Sequence, residues 1–129
     1  RPMRLQNFKN LAVSYQIGDA GCKDLTVFNW IVSLKIHNGS GITQAGCKHI
    51  SKLHQLAHLT IGETRKGYMT YLYGSRSHIG DAGVKELATL KQLTSLVIGY
   101  GSNITDAGCK DLAAMDNLKH LTILAENYI

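Results

Sequence analysis

The 129-residue sequence predicts a single α/β domain spanning residues 1–129, built as a right-handed solenoid with a parallel sheet on its concave side and short helices on its convex side. Three observations carry this expectation. Related nonapeptides recur, IGDAGCKDL from Ile17, ITQAGCKHI from Ile42, IGDAGVKEL from Ile79 and ITDAGCKDL from Ile104, at steps of 25, 37 and 25 residues. Ahead of each lies a triplet spaced apolar, two residues, apolar, one residue, apolar. Behind each, apolar residues return every three positions.

The triplets run Phe8/Leu11/Val13, Ile31/Leu34/Ile36, Leu56/Leu59/Ile61, Leu93/Leu96/Ile98 and Leu118/Leu121/Ile123. The last two members of each alternate with other residues, the period of a short strand with one buried face, so about five strands are expected. The helical stretches are Cys22/Leu25/Phe28, Cys47/Ile50/Leu53, Val84/Leu87/Leu90 and Cys109/Leu112/Met115, with Asp19, Asp81 and Asp106 placed as helix caps. A strand this short and a helix of two or three turns are each marginal alone. Stacked units share one core and place their strands side by side. The joining helices then call for right-handed crossovers.

These triplets and IGDAG-type strings resemble the leucine-rich-repeat family from about Phe8 to Ile129, with strand and helix alternating as in its cysteine-containing, ribonuclease-inhibitor-like and bacterial classes. Two departures bear on the subclass. The family's asparagine or cysteine after the strand is replaced by Gly39, Gly101 and Glu126, and Cys22, Cys47 and Cys109 stand where leucine is common. The resemblance implies a protein-binding role, as substrate recruiter, inhibitor or bacterial factor.

Composition narrows the function. No run of 18 apolar residues is present to span a bilayer, and RPMRLQNFKN lacks the apolar stretch of a signal peptide. Three cysteines without a Cys-x-x-Cys pair argue against a disulfide framework and a zinc knuckle, favouring an intracellular reducing compartment. The chain opens at Arg1 and stops at Ile129, where a further repeat would begin. It is therefore expected to be part of a longer array, or to self-associate through an uncapped end.

Candidate reactive groups mostly read as structural. Val84 occupies the slot of Cys22, Cys47 and Cys109, so these three are expected to be buried, reduced and metal-free. The row Lys23, Lys48, Lys85 and Lys110 reads as a solvated helix face. The histidines lack zinc-ligand spacing, and no nucleophile has a setting independent of the repeat, so neither an enzyme nor a cofactor is expected.

The residues between the apolar strand positions form a mixed, nearly uncharged face that includes Tyr15, Lys35, His37, His58, Glu63 and Tyr100. The step of 37 is 12 longer than its neighbours and inserts residues 62–78, where Arg65, Lys66, Tyr68, Tyr71, Tyr73 and Arg76 gather. Insertions in repeat proteins map to loops, often on the binding side, and tyrosine and arginine dominate interface hot spots. The segment reads either as a hairpin prolonging the Leu59–Ile61 strand or as an irregular unit without a helix. Together these residues predict a scaffold that binds another protein through the sheet face and the insertion. The alternative is single-stranded nucleic acid or an acidic ligand held by the basic, tyrosine-rich insertion, against which the neutral face counts.

Overall fold

The computed structural model describes residues 8–62, 64, 78–100 and 102–124. Strand and helix alternate strictly: β1 (Asn10–Gly18), α1 (Asp19–Leu25), β2 (Ser33–Gly41), α2 (Gln44–Ile50), β3 (His58–Ile61), α3 (Gly80–Leu87), β4 (Ser95–Ile98), α4 (Asp106–Ala113) and β5 (His120–Ile123). All five strands join one parallel sheet in chain order. The protein is thus an α/β repeat in which each unit adds one strand to the edge left by the last.

The pairing follows the apolar triplets. Leu11, Leu34, Leu59, Leu96 and Leu121 stand in one row across the strands, and Val13, Ile36, Ile61, Ile98 and Ile123 in another. Both rows face the helices, and from β2 to β4 every member is essentially inaccessible. A register slip by one residue would turn both rows outward, which fixes the pairing. The insertion leaves it untouched: β3 pairs directly with β4 across the step of 37, so no further strand lies between them. The reading of an irregular unit without a helix falls on residues outside the described ones. Apart from Gly62, Thr64 and His78, the inserted segment, including the hairpin reading, lies outside the described residues.

A second ladder enters each strand from below. The Lys9 carbonyl accepts from the N–H groups of Val32 and Ser33, Val32 from Ala57 and His58, Ala57 from Thr94 and Ser95, and Thr94 from Lys119 and His120. One carbonyl thus receives two amides of the following unit. The strand-entry amides are thus satisfied between units rather than within them.

The strands differ in length from the sequence reading. β1 and β2 each run nine residues, β1 up to the first residue of α1 and β2 to within two residues of α2, whereas β3 to β5 have four. The extension pairs Gly18 with Gly41 across two register shifts. A Cβ on Gly41 would stand 3.0 Å from the Gly18 Cα, so the two backbones meet only because both side chains are absent.

The capping aspartates also work differently from the expectation, which placed them on their own helices. Gly18 and Ile79, at the caps of α1 and α3, make no side-chain cap bond. Asp19 instead accepts from the Thr43 amide at 2.8 Å and the Thr43 hydroxyl at 2.6 Å, 24 residues on. Asp81 repeats this with the amide and hydroxyl of Thr105 and adds the Gly108 amide at 3.1 Å. Thr43 and Thr105 in turn cap their own helices through Ala45 and Ala107. Each aspartate therefore clamps the next unit's helix, and these bonds hold the Asp81 carboxyl below its ordinary pKa.

At Gly46 and Gly108 the glycine of the QAG and DAG strings follows from that clamp. A Cβ on Gly108 would lie 2.5 Å from Asp81 Oδ1, and one on Gly46 would collide with Asp19 Oδ1. Only glycine lets the helix seat against the preceding carboxylate and the preceding small core residue.

The two ends of the stack differ. At the first unit Phe8, Phe28 and Trp30 pack edge to face with centroids 5.6 to 5.8 Å apart, and Trp30 Nε1 donates to the Phe8 carbonyl. At the last, Leu121 is 44 % exposed while its equivalents in β2 to β4 are buried.

Candidate protein-interaction surface

The outward positions of the sheet also align across strands. Asn10, Ser33, His58, Ser95 and His120 form one row, and Ala12, Lys35, Thr60, Val97 and Thr122 the next. At the usual inter-strand spacing each row spans about 19 Å. Lys35 is the only Asp, Glu, Lys or Arg in the two rows. Asn10, Ala12, Lys35, His58, His120 and Thr122 are exposed, whereas Ser33, Thr60, Ser95 and Val97 are partly covered.

Tyr15 stands out at 69 % exposed. It lies where β1 shifts register between Val13 and Gln16, so Ser14 and Tyr15 both face solvent instead of alternating. His37 is exposed on the neighbouring strand, and Tyr100 is half-buried in the turn after β4. Gly62 and Gly99, at positions that strand alternation beyond Ile61 and Ile98 would turn outward, are buried. Gly62 has φ +100°, and a Cβ there would meet Gly99 Cα at 3.4 Å, so these positions close the upper edge rather than offer side chains. Glu63, Arg65, Lys66, Tyr68, Tyr71, Tyr73 and Arg76 lie outside the described residues. The described part of the candidate set thus brings Tyr15, Lys35, His37 and His58 onto one face of three adjoining strands, with Tyr100 at its far edge.

His120 belongs with them although the sequence reading left it out of the contact set. The signal was present, because it occupies the repeat position of His58, one step of 37 and one of 25 further on.

The reactive-group candidates divide. Cys22 and Cys47 are free and fully buried. Burial pushes the Cys22 thiol up to about 12 and the Cys47 thiol higher still, with the Asp19 charge adding to both. Cys109, expected to be buried, is exposed. The reason is positional: Gly46 of α2 covers Cys22 and Gly83 of α3 covers Cys47, whereas Cys109 sits on the last described helix. Lys23, Lys48, Lys85 and Lys110 are all exposed, as a solvated face requires. Among the described residues no three His, Cys, Asp or Glu side chains converge as metal ligands, and no helix is long and apolar enough to cross a membrane.

Compared with known proteins, the chain matches no family model and no curated relative.

Proposed function

We propose that the chain is a leucine-rich-repeat solenoid that binds another protein through the outward face of its sheet, and that it is not an enzyme. The observation that carries this is the continuous, nearly uncharged face on which Tyr15, His37, His58 and His120 lie exposed. Repeat units of about 25 residues, each one strand and one helix joined in register to the next, support the solenoid reading. A parallel sheet of this kind presents its outward rows on the concave side, where a partner meets many short side chains at once. Neutral polar groups around an aromatic anchor suit protein recognition, while a nucleic-acid backbone would call for a basic stripe. In the sequence, Arg65, Lys66, Tyr68, Tyr71, Tyr73 and Arg76 are mostly of the residue types that serve as interface anchors, and we assign them to the same binding role on that ground.

The test is capture of a protein partner by the immobilised full chain, followed by titration. Replacing Tyr15, His37 and His58 together by Ala should weaken the captured partner's binding by about tenfold or more, with unchanged circular dichroism. Nuclease treatment should leave capture intact. Binding that the triple variant leaves unchanged, or that requires nucleic acid and collapses as salt rises, would overturn the reading.

A further inference from the structure

The side of the last unit that faces away from α3 and β4 carries a groove of about 250 Å³ lined by Cys109, Leu112, Met115, Leu118 and Leu121. In earlier units the equivalent side chains are closed over by the following unit: Cys22 by Gly46, Cys47 by Gly83, and the leucine row by the next strand. Asp106 stands on the same side, exposed, at the position from which Asp19 and Asp81 reach forward. Among the described residues it has no threonine to receive.

The earlier junctions say what it would receive. Where a unit offers aspartate, the next opens with threonine 24 residues on, as in Asp19 with Thr43 and Asp81 with Thr105. At the remaining junction both partners change: Gln44 replaces the aspartate and Gly80 the threonine. Gln44 then donates sideways to Glu86 rather than forward to a cap. A carboxylate needs the amide and hydroxyl pair that a threonine cap presents, and a glycine offers only half of it.

We infer that this C-terminal face is a docking surface for one further strand–helix unit whose helix opens Thr-x-Ala-Gly, with Asp106 as the residue that selects it. The Asp106 carboxylate accepts from that threonine's amide and hydroxyl, the unit's glycine passes over Cys109, and its two strand-entry amides donate to the Lys119 carbonyl, next in the series Lys9, Val32, Ala57 and Thr94. A second copy of this chain does not meet the requirement. Its first unit has Gly18 where the threonine belongs, and its leading side is filled by Phe8, Phe28 and Trp30. The inference rests on how units stack and is independent of partner binding on the sheet face.

The test appends to the full 129-residue chain a copy of residues 105–128, with valine in its cysteine slot, in versions opening with threonine or with glycine. Cys109 is the reporter. The threonine version should slow labelling of Cys109 by a thiol reagent about tenfold or more, towards the behaviour of Cys22 and Cys47. Asp106→Asn should restore about fivefold of that rate in the threonine version and change little in the glycine version. Equal protection in both versions, indifference to Asp106→Asn, or no protection at all would overturn the assignment. So would a concentration-dependent dimer of the unextended chain that itself protects Cys109, because a second copy would then be the occupant.

Discussion

The small residues of the repeat are where its geometry is decided. Cys22, Cys47 and Val84 fill one slot beneath the following helix, and a thiol there is a small apolar group with a pKa driven up by burial. Cys47→Val should cost less than about 1.5 kcal/mol, because Val84 shows that the slot accepts it. Cys47→Asp buries a charge with no partner and should cost roughly 3 kcal/mol or more, read from denaturant midpoints at constant slope. A thiol reagent on the native protein should reach Cys109 first, leaving Cys22 and Cys47 to react only on opening. Simultaneous labelling of all three would contradict the burial. Gly108 gives the sharper case, because alanine ordinarily improves a helix by about 1 kcal/mol. Here its methyl would stand 2.5 Å from Asp81 Oδ1. Gly108→Ala should therefore destabilise, by about 1 to 3 kcal/mol, and a rise in stability would show that the helix can move off the carboxylate.

Between elements, the Asp81 carboxylate ties the start of α4 to that of α3, in addition to the core packing beneath them. Its pKa is lowered most by the hydrogen bond from the Thr105 side chain and next by that from the Thr105 amide; desolvation opposes them by less, and the Gly108 amide adds the smallest lowering. A carboxyl with a lower pKa folded than unfolded binds fewer protons when folded, so the clamp's contribution is complete above the unfolded value near 3.8. It is lost as pH falls through the folded value. The midpoint of denaturation should therefore drop on acidification below about pH 4, and Asp81→Asn should lower it at neutral pH while flattening that acid limb. An Asp81→Asn variant as stable as the parent at pH 7 would remove the clamp from the account. This element was only half legible. The IGDAG, ITQAG and ITDAG strings located every described helix, and alternation located every described strand, because both report burial, which the side chains themselves encode. Direction was hidden: an aspartate at a helix start reads as that helix's cap, and only the 24-residue partnership of Asp19 with Thr43 and Asp81 with Thr105 reveals that it serves the next one. The nine-residue length of β1 and β2 was hidden for a related reason, since it depends on Gly18 meeting Gly41 across strands. On the outward face, Lys35, His37 and His58 were readable from alternation, whereas the prominence of Tyr15 comes from a register shift that no local pattern announces.

At the scale of the whole molecule, stability is nearly one-dimensional, because each unit touches only its neighbours. Helix contacts follow chain order, α1 with α2, α2 with α3 and α3 with α4, and the sheet does the same. An inner unit is held on both sides, whereas an end unit is held on one. The two ends are nevertheless unequal. The first unit has Phe8 and Phe28 where the later ones have aliphatic residues or Met115, and Trp30 where they have Gln55, Gln92 and Asn117; edge-to-face packing of the three and the Trp30-to-Phe8 bond cover that side of the core. The last leaves Leu121 and Cys109 exposed, with Met115, Leu118 and Ile123 only partly covered. Opening the last unit breaks one junction and exposes little that was not already wet. Opening a middle unit breaks two junctions and uncovers side chains such as Leu59 and Ile61. Amide hydrogen exchange should rank accordingly. The amides of His58 and Ser95, donors to Val32 and Ala57, should exchange only near the global unfolding limit. The amides of Lys119 and His120, which donate to Thr94 in the same bonding pattern, should exchange about tenfold or more faster through local opening of α4 and β5. Trp30→Ala should loosen the other end and raise exchange at Val32 and Ser33, whose amides donate to Lys9, while leaving Lys119 and His120 unchanged. Uniform protection across all these amides, or a Trp30→Ala effect that reaches both ends equally, would mean that the protein opens as one cooperative unit and that the nearest-neighbour account is wrong.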